Sequence, residues 1–432
     1  MTATAQLNIL DELYMHLDRE DEPWSVHIEV EVEESIDPER LLDAVRAAAA
    51  HHPIARARLG KSRGTDFTYE WVIEDELVDP PVSIVAEDVD GAREALMGHS
   101  PPLERVAPFE VVLVQREDDG DVLLLNMHHA AGDGMGALRL LVSILRAYSG
   151  EEDPEPPVDP LEVRDVTDLI GARGIGERLT RVRALVEHVA RFVTPPTRIS
   201  PQGARGEEPG YGFETLRFGP DDIARIMEHR EGGATANDVL IGALGVTTRR
   251  WNEQHGGSTG RAALMMPVNL RPKEWRFDVI ANFASYVTVH LAEREQGDMS
   301  DAVRATADRT RKIKEDGIPG LIVDLLAFPT ALPTGIKQRL QELIPLTGNA
   351  VVDTAVLSNL GRLDQMPPAG DAGEVTRIGF SPPGRMPLGA SIGVATLGDE
   401  MWVTLRYRHA LFDAQAASDF ARLYRRVLLD PA

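Results

Sequence analysis

Asp121-Val-Leu-Leu-Leu-Asn-Met-His-His-Ala-Ala-Gly-Asp-Gly-Met-Gly136 decides how this chain is organised. Its first half is short, almost continuously apolar and preceded by the turn-forming Asp118-Asp119-Gly120, the pattern of a strand covered on both faces. Side chains alternate along a strand, so His129 shares a face with Met127 and Leu125, while His128 shares the other with Asn126. The two histidines therefore cannot do the same job. Downstream, Leu138, Leu141, Leu145 and Tyr148 recur at helical spacing, which starts a helix just past Gly134. Gly132, Gly134 and Gly136 permit a tight reversal and close backbone approach between the two elements.

A strand-to-helix junction of this kind presents a base. An unperturbed imidazole titrates at about 6.5, so a His129 ring projecting into a cleft is neutral and basic near neutral pH. That suits proton removal from an alcohol or an amine. Asp133 admits two roles: orienting the imidazole as in a triad, or turning away to pin the turn through an arginine. Its position four residues on, across a glycine turn, favours the second. Metal ligation by His128, His129 and Asp133 would require distorted geometry, because adjacent strand residues face opposite ways, and no metal is expected.

His128-His129-Ala130-Ala131-Gly132-Asp133-Gly134 resembles the HHxxxDG signature of the condensation-domain and acyl-CoA-dependent acyltransferase superfamily. Further segments are similar to bacterial wax ester synthase/diacylglycerol acyltransferases, in the same order along the chain. Thr235-Ala236-Asn237-Asp238 resembles their Asn-Asp helix start, and Pro267-Val268-Asn269-Leu270-Arg271 their Pro-Val-x-x-Arg strand end. Ala281-Asn282-Phe283-Ala284-Ser285 resembles their Gly-Asn-x-x-Ser segment and Ser358-Asn359 their Ser-Asn turn. Pro108-Phe109-Glu110 stands where those enzymes carry Pro-Leu-Trp, and Ala281 stands where they carry glycine. These departures leave open a cousin of those enzymes, either the polyketide-associated acyltransferases of actinobacteria or a free-standing condensation enzyme.

The resemblance implies an α/β fold, an α+β sandwich of two chloramphenicol-acetyltransferase-like subdomains forming a pseudo-dimer with a tunnel at their interface. It implies an acyltransferase moving an acyl group from a thioester, acyl-CoA or a phosphopantetheine-linked carrier protein, to an acceptor hydroxyl or amine. His129 would be the general base, with His128, Asp133 and Gly134 building the turn. Arg271 is the candidate partner of Asp133. Asn269, Arg271, Asn282, Ser285, Ser358 and Asn359 are the candidate substrate contacts, while Asn237 and Asp238 fit a structural role at a helix start. No permanently bound cofactor is expected. Two alternatives stay open: amide formation between carrier-bound substrates, and a catalytically silent binding or scaffold protein.

An internal repeat supports two subdomains independently. Met401 to Asp413 is again a strand followed by His-x-x-x-Asp, and Phe412, Ala416, Phe420, Leu423 and Val427 then mark a helix. Laid over the first copy, His409 falls on His129 and Asp413 on Asp133, with Arg408 for His128 and Ala414 for Gly134. Residues 1–165 form the expected first subdomain, 166–210 a crossover linker with a helix from Leu179 to Phe192, and 211–432 the second subdomain. Within the first, strands over Ser25–Val32 and Val106–Gln115 and a helix over Pro38–His51 are expected.

Composition narrows the partners. The 432 residues carry a formal net charge of -24, which argues against binding a phosphate backbone. The absence of cysteine excludes disulfides, thiolate nucleophiles and Cys-ligated zinc. No basic region with an apolar core opens the chain, and no apolar run reaches the length of a membrane span, so a cytoplasmic protein with at most peripheral membrane contact is expected. The Ile318–Leu332 segment reads as a core or tunnel-lining helix. His51-His52-Pro53, a second His-His pair, sits at a helix end where histidine is favoured by the helix dipole alone.

Overall fold

The computed structural model describes residues 3–117, 119–170, 195–204, 209–275, 277–320, 332–341, 353–384 and 386–430. The expected crossover helix from Leu179 to Phe192 and most of the Ile318–Leu332 segment lie outside the described residues. Two large sheets, one in each half, carry the architecture. The first has the order Val375–Ser381, Ser25–Val32, Val122–His128, Phe109–Gln115, Val82–Ala86, antiparallel except for the last pair. The second has the order Ala284–Leu291, Ala262–Asn269, Ala355–Leu363, Ala390–Leu397, Glu400–Arg408, Tyr211–Phe218, with the two pairings of Ala355–Leu363 parallel. This is the α/β architecture of two similar subdomains that the sequence implied. A small sheet of Ala3–Gln6, Glu70–Ile73 and Ala57–Leu59 flanks the first.

The apolar strand ahead of the two histidines lies in the interior of its sheet and is buried along its whole length. Helices Pro38–His51 and Gly134–Ser149 pack together over the first core, burying Leu41, Val45, Leu138, Leu141 and Leu145. Helices Ala236–Gln254, Met299–Glu315 and Ala414–Leu429 cover the second. Thr235 caps the Ala236–Gln254 helix in a capping box with Asp238, the structural role expected at that helix start. No described helix is long and apolar enough to cross a membrane.

The repeat is real in three dimensions. In both copies the strand ends in a reversal closed by a backbone hydrogen bond, Ala131 N to His128 O at 2.9 Å and Leu411 N to Arg408 O at 2.8 Å. In both, the aspartate then caps the helix: Asp133 Oδ1 accepts from Gly136 N at 3.0 Å and Asp413 Oδ1 from Ala416 N at 2.8 Å. Capping explains why the second copy keeps its aspartate, since an N-cap side chain is worth about 1 kcal/mol whatever the chemistry nearby.

The halves are also interleaved. Val375–Ser381 belongs to the second half of the chain, yet it extends the first sheet along Ser25–Val32. To do so it crosses the Ala390–Leu397 strand at Gly393, where any Cβ would fall inside the van der Waals envelope of the Phe380 carbonyl. Gly393→Ala is therefore expected to lower stability by about 3 kcal/mol or more, because backbone cannot yield as a side chain can. Urea unfolding checks this against Gly260→Ala, whose Cβ meets only Thr197 Cβ at 3.9 Å and whose effect should stay within about 0.5 kcal/mol.

Candidate active site

His129 leaves the strand at the reversal, with its N–H donated to Trp24 O at 2.9 Å and its ring stacked on Tyr14 at 3.9 Å between centroids. Its Nδ1 lies 3.3 Å from Asn282 Oδ1. The amide orientation of Asn282 is set by the network, since its Nδ2 faces three groups that only accept: Asp11 Oδ1 (2.8 Å), His129 O (2.8 Å) and Ala130 O (3.1 Å). Oδ1 is thus the atom turned to the ring. Nδ1 carries the proton and Nε2 the lone pair, the tautomer of a base. Burial pushes the imidazole down to about 4, against the opposing pull of its own backbone carbonyl, the Asp133 charge and Asn282. His129 is therefore neutral throughout the physiological range.

Asp133 does not touch the imidazole. Its two oxygens accept from Arg271 Nη1 and Nη2, each at 2.7 Å, and both side chains are buried. Arg271 Nη2 also donates to Ala281 O at 2.8 Å, and Phe283 N donates to Asp133 Oδ2 at 3.0 Å. The guanidinium beside it holds the Asp133 carboxyl below the usual range despite burial. The expected pairing with an arginine is what the structure shows. Arg271 is committed to this pair and does not line the cavity. His128 points the other way, as strand alternation demands: its Nδ1 accepts from Ala130 N at 3.0 Å and its Nε2 lies 3.6 Å from Asp18 Oδ2.

A cavity of about 380 Å³ opens between the halves at His129. The first half contributes Leu13, Tyr14, Leu17, Trp24 and Val26 to its wall, and the second contributes Met265, Pro267, Tyr286, Val356 and Phe380. Ser285 and Ser358 line it as well. Ser285 Oγ donates to Pro319 O at 3.0 Å, whereas the Ser358 hydroxyl has no hydrogen bond among the described residues. Asn269 and Asn359 lie outside the wall. Asn269 Oδ1 accepts from Arg271 N at 3.0 Å, and Asn359 joins Asn237 Oδ1 at 2.7 Å, so both shape turns. Gly134 borders the cavity where a Cβ would meet Leu360 and the Phe380 ring at 2.9 and 3.0 Å.

Two residues beside His129 were not anticipated. Asp11 and Tyr14 lie three apart on helix Ile9–Leu17, hence on one face, and reach Asn282 and His129 respectively. Arg164 Nη2 donates to Asp11 Oδ2 at 2.8 Å and Arg164 Nη1 to Ile280 O at 2.7 Å. The only available signal was an acid and a tyrosine on the apolar face of a short helix. His409, by contrast, sits against Glu94 Oε1 at 3.1 Å, away from the cavity. His51 and His52 gather with Asp153, but Arg139 and Arg146 occupy that carboxylate and repel any cation there.

The model of the condensation-domain family matches residues 13–327. An uncharacterized protein of Mycobacterium tuberculosis is 38% identical over 99% of this chain and 100% of its own length. Surfactin synthase subunit 2 of Bacillus subtilis is 20% identical over 68% of this chain and 8% of its own length. Among solved structures, the first condensation domain of the calcium-dependent antibiotic synthetase in complex with a substrate analogue has a TM-score of 0.72 at 14% identity, covering 100% of this chain and 97% of that one. Polyketide synthase associated protein 5 from Mycobacterium tuberculosis has a TM-score of 0.67 at 16% identity, covering 99% of this chain and 98% of that one. The chain belongs to the condensation-domain family.

Because Arg271 and Asp133 are both buried, Arg271→Ala should cost about 3–5 kcal/mol by leaving a carboxylate unpaired. Asp133→Asn with Arg271→Met should cost less than the sum of the singles, with a coupling of about 1–3 kcal/mol in a denaturant double-mutant cycle.

Proposed function

We propose that the chain moves an acyl group from a thioester donor, acyl-CoA or an acyl-carrier protein, to an acceptor hydroxyl, with His129 as general base and no acyl-enzyme. The observation that carries this reading is the His129 ring itself: Nδ1 is tied to Asn282, leaving Nε2 as the basic atom beside an apolar cavity. The acceptor O–H gives its proton to Nε2 as its oxygen attacks the thioester carbonyl. The tetrahedral intermediate collapses with cleavage of the C–S bond, and the imidazolium returns the proton to the leaving thiolate. An imidazolium buried in apolar surroundings is a strong acid, so this return is fast. Ser358 is the available hydroxyl donor for the intermediate's oxyanion. A covalent route has no support, because the chain lacks cysteine and shows no nucleophile-elbow serine.

Membership of the condensation-domain family supports a second reading, amide formation on carrier-bound substrates. The same base would then take the proton from an attacking amine. A hydroxyl is preferred because it needs proton removal during attack, whereas a neutral amine attacks without it.

Thiol release with a panel of acyl-CoA donors and of alcohol and amine acceptors decides between these readings, free of any thiol background from the protein. His129→Ala should lower turnover by about 100- to 10,000-fold, and undiminished activity would overturn the assignment. The pH profile gives a second check. Since the neutral ring is the active form and burial holds it at about 4, the acid limb of kcat/KM should lie well below about 6.5, the value of a solvated histidine.

A further inference from the structure

One buried acid on the cavity wall has no part in the chemistry above. Asp353 precedes the Ala355–Leu363 strand, is 4% exposed, and lines the same cavity as His129. Its Oδ2 accepts from Thr288 Oγ1 at 3.1 Å, and among the described residues its carboxyl forms no ion pair. Arg198 donates to the Asp353 main-chain carbonyl at 2.7 Å, and Arg261 Nη1 lies 2.7 Å from His290 Nδ1. Both arginines act on the carboxyl only at longer range. Asp133, the other acid on the cavity wall, has both oxygens on Arg271. Asp353 is thus the one cavity carboxyl left without a paired cation among the described residues.

The strand Ala284–Leu291 places this acid relative to the base. Ala284, Tyr286 and Thr288 alternate onto its cavity face, while Val287, Val289 and Leu291 enter the core. At the Ala284 end, the carbonyl of Ala284 accepts from Tyr14 Oη at 3.2 Å, and Tyr14 is the ring stacked on His129. At the Thr288 end stands Asp353. Four residues of strand separate the two ends, roughly 14 Å. A saturated chain of roughly ten bonds spans that length.

We propose that Asp353, supported by Thr288, is a specificity residue that receives an ammonium group carried by the acceptor roughly 14 Å from its reacting hydroxyl. The cavity wall is mainly apolar, with Met265, Pro267 and Val356 beside Ser285 and Ser358, as an alkyl or similar spacer requires. Burial holds the free carboxyl up at about 7, so its ionised form lacks a sufficient counter-charge, and an ammonium supplies one. A neutral or anionic terminus does not. The net charge of -24 adds a long-range attraction for cationic substrates over anionic ones. The inference rests on the acyl-transfer reading, because the base that reading assigns marks the Ala284 end of this strand interval through Tyr14.

Calorimetric titration of the intact protein tests it without turnover, using ω-aminodecanol, decanol, ω-hydroxydecanoate and the short ω-aminobutanol. The aminodecanol should bind at least about tenfold tighter than decanol, the scale of one charge-assisted hydrogen bond. The hydroxydecanoate should bind more weakly than decanol, and the aminobutanol, too short to reach both ends, should show no such gain. Asp353→Asn should remove the preference for the amine, and Thr288→Val should reduce it. Equal binding of aminodecanol and decanol, an unchanged preference in Asp353→Asn, or an equal gain for the short amine would each overturn the proposal. The wild-type panel alone decides if a variant fails to fold. A preference for the long amine in a protein that releases no thiol with any donor would sustain this site and sink the acyl-transfer reading.

Discussion

Four consecutive residues of the second half, Ile280 to Phe283, are each gripped by a polar group of the first half. Arg164 holds the Ile280 carbonyl, Asp133 N lies 3.4 Å from the Ala281 carbonyl, Asn282 is bound by Asp11 and the turn carbonyls, and Phe283 N is bound by Asp133. The buried Asp133–Arg271 pair sits at the centre of this seam. Its weight lies less in net attraction than in the penalty for any arrangement that leaves one charge buried and unpaired. Apolar faces alone tolerate sliding, and directional contacts of this kind set one register between the two halves.

That register also sets the chemistry. The proposed base, His129, belongs to the first half and the amide that faces its Nδ1 belongs to the second, so the ring is oriented only when the halves are docked. The same docking encloses the cavity and removes water from around the ring, which is the cause of the lowered imidazole. The second copy of the motif shows the counter-case. Asp413 still caps its helix, but it has no arginine partner among the described residues, and His409 faces Glu94 instead of the cavity. Fold maintenance and site construction are thus separate demands on one motif, and only the first copy answers both.

Much of this is legible in the sequence. The buried strand, the helix starting at Gly134, the helix over Pro38–His51 and the strand–turn–helix repeat follow from hydrophobic spacing and cap residues, which are local properties. The strand expected from Val106 begins only at Phe109, where the preceding Pro108 has no N–H to give to a ladder. The Asp133–Arg271 pair was legible because residue order and motif resemblance pointed to both ends. Asp11, Tyr14 and Asp353 were not, since a lone acid or tyrosine carries no pattern of its own. Asn269 and Asn359 looked equal to Asn282 in sequence, yet only Asn282 reaches the base.

The sequence by itself determined the elements, the repeat, the family and the candidate base, because each rests on spacing within a few turns of chain or on a contiguous motif. Tertiary structure alone decided which polar residues meet at the cavity, which nitrogen of His129 is free, and that Val375–Ser381 crosses over to complete the first sheet. Those outcomes depend on contacts between residues far apart in the chain, 153 positions for His129 and Asn282, and on the loss of water at the seam, which no local pattern encodes.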